Sequence, residues 1–135
     1  MASTGTYLAV AVGSGVGGLS RYWLSGLVAQ SVGETFPWGT LVVNVTGSFV
    51  IGVIAGLTVA EGRLLLGPTW RQFLMAGICG GYTTFSSFSL QTLNLVRDGD
   101  LRRAGANTLL SLGCCFAAVW LGHSLAIALN RTRGL

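Results

Sequence analysis

Charge is what this chain has least of. Only 9% of its 135 residues are Asp, Glu, Lys or Arg, against roughly 25% in a soluble globular domain, so a water-facing shell cannot be built from it. Proline occurs twice, and that scarcity, together with long apolar runs, excludes a disordered or collagen-like chain. The single histidine, His123, shares no ligand spacing with Cys79, Cys114 or Cys115. These cysteines therefore read as small packing residues rather than metal ligands. No basic stretch precedes the first apolar run, which points to a retained membrane span rather than a cleaved signal peptide.

What is present is apolar, at 51% of the residues. Four runs stand out, at about 7–32, 39–60, 70–96 and 104–129, and each can cross ~30 Å of hydrocarbon at 1.5 Å per residue. The expected fold is an all-α membrane protein, a single domain of four transmembrane helices with nothing left over for a soluble catalytic unit. Trp38 and Trp70 stand at the entries to the second and third runs, where indole rings favour the headgroup layer. Glycines four apart in Gly13/Gly17, Gly52/Gly56 and Gly77/Gly81 allow helix backbones to approach closely.

The net charge of +4 would point to nucleic acid in a soluble protein, but here the arginines flank apolar runs and read as interfacial anchors. With four spans, one side of the membrane carries Arg63, Arg71, Arg131 and Arg133, and the other carries Arg97, Arg102 and Arg103. A fixed orientation normally shows a clear excess of arginine and lysine on one side. The near balance predicts insertion both ways, and hence an antiparallel, dual-topology homodimer.

The third run is the least like a plain hydrophobic helix. It places Gly80-Gly81 and then the hydroxyl residues Thr83, Thr84, Ser86, Ser87 and Ser89 near its middle. Glycine costs about 1 kcal/mol relative to alanine in a helix, and a break there frees backbone groups that hydrocarbon does not tolerate unless protein, water or an ion satisfies them. A break near mid-membrane is therefore expected, against the alternative of a continuous helix whose hydroxyls bond back to the preceding turn. In the second run Thr40, Asn44 and Ser48 recur every four residues and share one face. Asn107, Ser111 and Cys115 repeat that spacing in the fourth. These rows read either as a lined path or as hydrogen-bonding glue between helices.

No acidic residue falls deep in a run, so a carboxylate-lined cation path or a proton-coupled exporter lacks its main chemical group. That leaves a neutral solute or an anion, which amide and hydroxyl donors and the positive edges of Phe85 and Phe88 can attract.

The segment Pro37-Trp38-Gly39-Thr40-Leu41-Val42-Val43-Asn44, followed by Gly80-Gly81-Tyr82-Thr83-Thr84-Phe85-Ser86-Ser87-Phe88-Ser89, resembles the signature of the small bacterial fluoride channels, the Fluc or CrcB family. The likeness covers the whole chain, including Arg21 late in the first run. It implies two antiparallel pores lined by both subunits of a dimer. Phe85 and Phe88 would be the pore aromatics, Asn44 the pore asparagine beside them, and Thr40, Ser86, Ser87, Ser89 and Ser111 hydroxyls along the fluoride path. It further implies one structural sodium ion (Na+) held by the backbone carbonyls of Gly80 and Thr83 from both subunits, with Arg21 in the pore vestibule. Tyr82 stands where many members have an aliphatic residue, and Cys115 where a serine is common.

The expected activity is passive export of cytoplasmic fluoride through a bacterial plasma (inner) membrane, with no enzymatic step. The partners implied are the fluoride ion, the lipid bilayer and a second copy of the chain. Two rivals are a small multidrug-type proton-coupled exporter, which needs a carboxylate in the first span, and a non-transporting scaffold. Residues 7–30 contain no carboxylate.

Overall fold

The computed structural model describes residues 3–59, 62 and 64–132, which excludes Glu61, Arg63 and Arg133 of the charge count. Among the described residues all regular structure is helical. Helix α1 spans Thr4–Val32 and α2 spans Trp38–Leu57. Helix α3 is a composite of Pro68–Gln72, a π-helical stretch Phe73–Cys79 and a last turn Gly80–Tyr82. Helices α4, Phe85–Arg97, and α5, Leu101–Arg131, complete the chain.

Local chemistry sets these limits. Ser3 caps α1 by accepting the Thr6 amide at 3.3 Å, so α1 starts before the apolar run does. Pro68 opens α3, where its missing N–H costs nothing. Asp100 caps α5 through the Arg103 amide at 3.0 Å and also pairs with the Arg103 guanidinium at 3.0 Å, which extends α5 ahead of Ala104. Between α3 and α4 the backbone leaves the helix for two residues: Thr83 and Thr84 have ψ of 159° and 114°.

Contacts between the helices give their directions. Gly13 packs on Phe73 and Gly77, and Gly17 on Ile78 and Tyr82, so α1 and α3 run parallel. Phe49 meets Gly122, and Gly56 meets Ala126, so α2 and α5 are parallel too. Gly39 lies on Ser25, while Thr58 binds Arg71 and Asn44 binds Thr84, so α2 is antiparallel to α1 and to the α3–α4 pair. The close crossings depend on glycine. A methyl group at Gly17 would collide with the Ile78 carbonyl, and one at Gly122 with the Phe49 carbonyl. Two of the glycine pairs singled out in the sequence thus face each other, with Gly13/Gly17 against the α3 backbone at Gly77 and Ile78.

Little of the molecule is interior. The largest side chains with almost no exposure are Val43 and Asn107, whereas Phe116, Trp120 and Phe85 are 72%, 67% and 71% exposed. An apolar surface of that extent calls for lipid or another protein surface rather than water. By length and composition, Trp38–Leu57 and Leu101–Arg131 are each able to cross a membrane among the described residues. At 29 residues α1 is long enough, but glycine, serine and Arg21 dilute its apolar character. The two extended threonines leave α3 and α4 each short of a full crossing.

Candidate functional site

The site is built around Thr83–Thr84. In a continuous helix the Thr84 N–H would bond to the Gly80 carbonyl four residues back. Here it donates to Asn44 Oδ1 at 2.7 Å, and Asn44 Nδ2 donates back to the Thr84 carbonyl at 2.9 Å. The side-chain amide of α2 thus pairs with both polar groups of one backbone residue, and both residues are buried. The Gly80 carbonyl loses the partner a continuous helix would give it. Helix α4 restarts with Thr84 as its cap, accepting the Ser87 amide at 3.2 Å.

Beside this junction lies a groove of about 290 Å³. Asn44, Gly80, Thr83, Thr84, Phe85, Phe88 and Ser111 line it together with Ser48, Cys79 and Cys115. The two phenyl rings are 5.3 Å apart between centroids and inclined at 54°. Phe85 is 71% exposed and Phe88 only 7%, so the first ring stands at the open wall and the second lines the inside. A ring edge carries the positive part of the aromatic quadrupole. Two inclined rings can present edges to a small anion without both presenting faces.

The hydroxyls do not all point the same way. Thr83 donates to the Cys79 carbonyl at 2.9 Å and Ser89 to the Phe85 carbonyl at 2.9 Å. Thr84 gives its proton to Ser87 Oγ at 3.0 Å, so the 3.2 Å contact between Ser86 and Thr84 must use the Ser86 proton. Ser111 donates to Asn107 Oδ1 at 3.4 Å, a long bond. Among the described residues, the Ser87, Thr40 and Ser48 protons have no such commitment, and Asn44 keeps its second amide hydrogen. These are the donors free to replace water around an anion.

A larger cleft of about 1190 Å³ opens at the end of the helices opposite the start of α1 and the end of α5. Arg21, Thr40, Thr84, Ser87 and Gln91 line it, along with Glu34, Asp98, Asp100 and Arg103. Thr84 borders both recesses, which makes the junction their shared wall. Arg21 Nε and Gln91 Oε1 are buried there without a hydrogen-bond partner among the described residues. With two arginines against three acids on its lining, and Arg103 already paired, the cleft is not a positive funnel in one copy of the chain.

The structure thus gathers Asn44, Phe85, Phe88, Ser111, Gly80 and Thr83 at one groove and Arg21, Thr40 and Ser87 at the adjoining cleft. Ser86 and Ser89 lie outside the linings of both. Two residues that sequence reasoning passed over are Gln91 and Thr92, the latter accepting Asn107 Nδ2 at 2.8 Å. The signal for Thr92 was Asn107 itself, an amide in an apolar run that needed a partner. Cys115 takes its place on the groove wall, and the Tyr82 hydroxyl bonds to Thr46 at 2.8 Å.

Residues 8–123 match the family described as CrcB-like protein, Camphor Resistance (CrcB). A protein of Opitutus terrae named fluoride-specific ion channel FluC is 62% identical over 128 residues, covering 95% of this chain and 97% of that one. Proteins of the same name from Methylocella silvestris and Rhodospirillum rubrum are 55% and 56% identical, covering 95% and 93% of this chain and 98% and 97% of their own lengths. With most of its length matched by the family and near full-length relatives above half identity, this chain belongs to the CrcB-like family.

Proposed function

We propose that this protein is a passive, fluoride-selective channel of a bacterial inner membrane. The observation that carries the reading is the groove, where Phe85, Phe88, Asn44 and Ser111 converge on one side of the helix junction. The names of the relatives support fluoride as the ion. HF crosses lipid as a neutral molecule and ionises in the less acidic cytoplasm, so a channel lets the trapped anion leave down its gradient without energy coupling or catalysis.

On this reading α3 and α4 are one membrane span broken near the bilayer centre, and with α1, α2 and α5 they make four crossings. The alternating helix directions support that topology. Two copies inserted in opposite orientations form the dimer, each contributing to two pores. The exposed faces of α4 and α5, including Phe116 and Trp120, suit burial against a second copy. The carbonyls of Gly80 and Thr83 would hold the structural sodium. The donor set fits: Gly80 has no side chain to crowd the site, its carbonyl lacks the usual helix partner, and oxygen ligands suit a hard cation. One copy supplies only part of a coordination shell, which is consistent with a shared site on a dimer axis.

Purified protein in liposomes tests the function. Fluoride efflux is expected when only a potassium ionophore balances charge, with no proton gradient, and Phe88→Ile should abolish it while the dimer persists. Absence of electrogenic fluoride flux from the unaltered protein would remove the channel reading. Reporters fused to the C-terminus should be active on both membrane sides; activity on one side alone contradicts dual insertion.

A further inference from the structure

Helix α4 carries both phenyl rings of the groove yet is lightly held. Among the described helices it packs on α5 and makes a small contact with α2. Among the described residues, one side-chain hydrogen bond ties it to another helix: Asn107 Nδ2 of α5 donates to Thr92 Oγ1 at 2.8 Å. Asn107 is 1% exposed, a depth at which an amide is costly unless its polar ends are paired. Both ends are paired, since Oδ1 accepts the Ser111 hydroxyl.

Thr92 passes the connection on. Its only proton goes to the Phe88 carbonyl at 2.8 Å, which leaves an oxygen lone pair to accept from Asn107. The bonds run in one sense, from Ser111 on the groove wall through Asn107 and Thr92 to the backbone of Phe88. Chains of this kind strengthen one another in a low-dielectric interior. A threonine that bonds to the carbonyl four residues back often bends its helix, and here that carbonyl belongs to Phe88 itself.

From this geometry we propose that Thr92 and Asn107 are positioning residues of the ion path, fixing the angle of α4 and thereby the Phe88 ring in the groove. The inference rests on the reading of the groove as a fluoride path. It goes beyond that reading by giving a role to two residues that need never touch the ion.

Thr92→Val keeps the side-chain shape and removes the hydroxyl, whereas Thr92→Ser keeps the hydroxyl. In liposomes, fluoride flux per active dimer is expected to fall roughly two- to tenfold in Thr92→Val, the scale of one buried hydrogen bond, and to recover in Thr92→Ser. The dimer fraction and the fraction of active liposomes should stay near those of the unaltered protein, which a purely structural loss would lower instead. Amide exchange over residues 88–92 should rise in Thr92→Val and return in Thr92→Ser. Unaltered flux in Thr92→Val, or failure of Thr92→Ser to recover, overturns the proposal. If the unaltered protein itself passes no fluoride, the channel reading falls on that result. Amide exchange then decides the positioning role alone, and unchanged exchange in Thr92→Val overturns it.

Discussion

Replacing Asn44 with alanine removes both hydrogen bonds that its side chain makes to the Thr84 backbone. The two losses are unequal. As the cap of α4, the Thr84 carbonyl still accepts from the helix it precedes. Its N–H has Asn44 Oδ1, at 2.7 Å, as its partner and would be left buried and unpaired. An orphaned buried donor costs about 1–3 kcal/mol, while interhelical bonds in membranes average about 0.6 kcal/mol and reach about 1.7. Taking about 2 kcal/mol for the pair, local opening at the junction becomes about thirtyfold easier, since 1.4 kcal/mol is a factor of ten. Hydrogen exchange at the Thr84 amide, measured in nanodiscs, should accelerate by that order, and fluoride flux should fall as the groove loses a wall. Asn44→Leu, which restores bulk without hydrogen bonds, separates packing from polarity: it should exchange as fast as Asn44→Ala. If either variant kept the exchange rate of the unaltered protein, the junction would be held by something other than Asn44.

Two further outcomes are expected. Gly122→Ala sets a methyl group against the Phe49 carbonyl and should destabilise the α2–α5 contact by about 1–3 kcal/mol, lowering the thermal midpoint in detergent; an unchanged midpoint would mean the crossing can widen freely. Prolonged exchange into buffer in which N-methylglucamine replaces sodium should reduce both thermal stability and fluoride flux, with recovery when sodium is restored. Full stability and flux after that exchange would argue against a structural sodium at Gly80 and Thr83.

Much of the site is visible in the residue order because its parts repeat at helical spacing. Thr40, Asn44 and Ser48 must share a face, and the structure buries the first two and half-buries the third. The hydroxyl run after Gly80-Gly81 is equally plain. Which groups those hydroxyls bind is not, because donor direction depends on where a neighbouring backbone has turned. The family resemblance implies Ser86 and Ser89 as path hydroxyls, and in one copy their protons go to Thr84 and to the Phe85 carbonyl. By spacing alone Asn44 reads either as a donor on a lined path or as hydrogen-bonding glue between helices, and one of its amide hydrogens and its oxygen go to Thr84. Two helices start a few residues before their apolar runs for a local reason: the runs mark what lies in hydrocarbon, whereas Ser3 and Asp100 cap α1 and α5 ahead of those runs. Thr92 was hidden because one threonine in a polar stretch carries no pattern of its own until Asn107 is seen across from it.

The wide turn of α3 has a consequence for the phase of everything after it. Over Phe73–Cys79 the backbone is π-helical, and at its end the Gly80 N–H reaches the Met75 carbonyl, five residues back, so the stretch holds an extra residue relative to an α-helix of the same rise. Each residue of an α-helix advances the side-chain direction by about 100°. Had this stretch closed as ordinary α-turns, Thr83 and Thr84 would leave α3 on a different side of the helix axis, away from Asn44. The extra residue works as an angular offset: it lets α3 lie with Gly77 and Ile78 against α1 and still deliver its two extended threonines to α2.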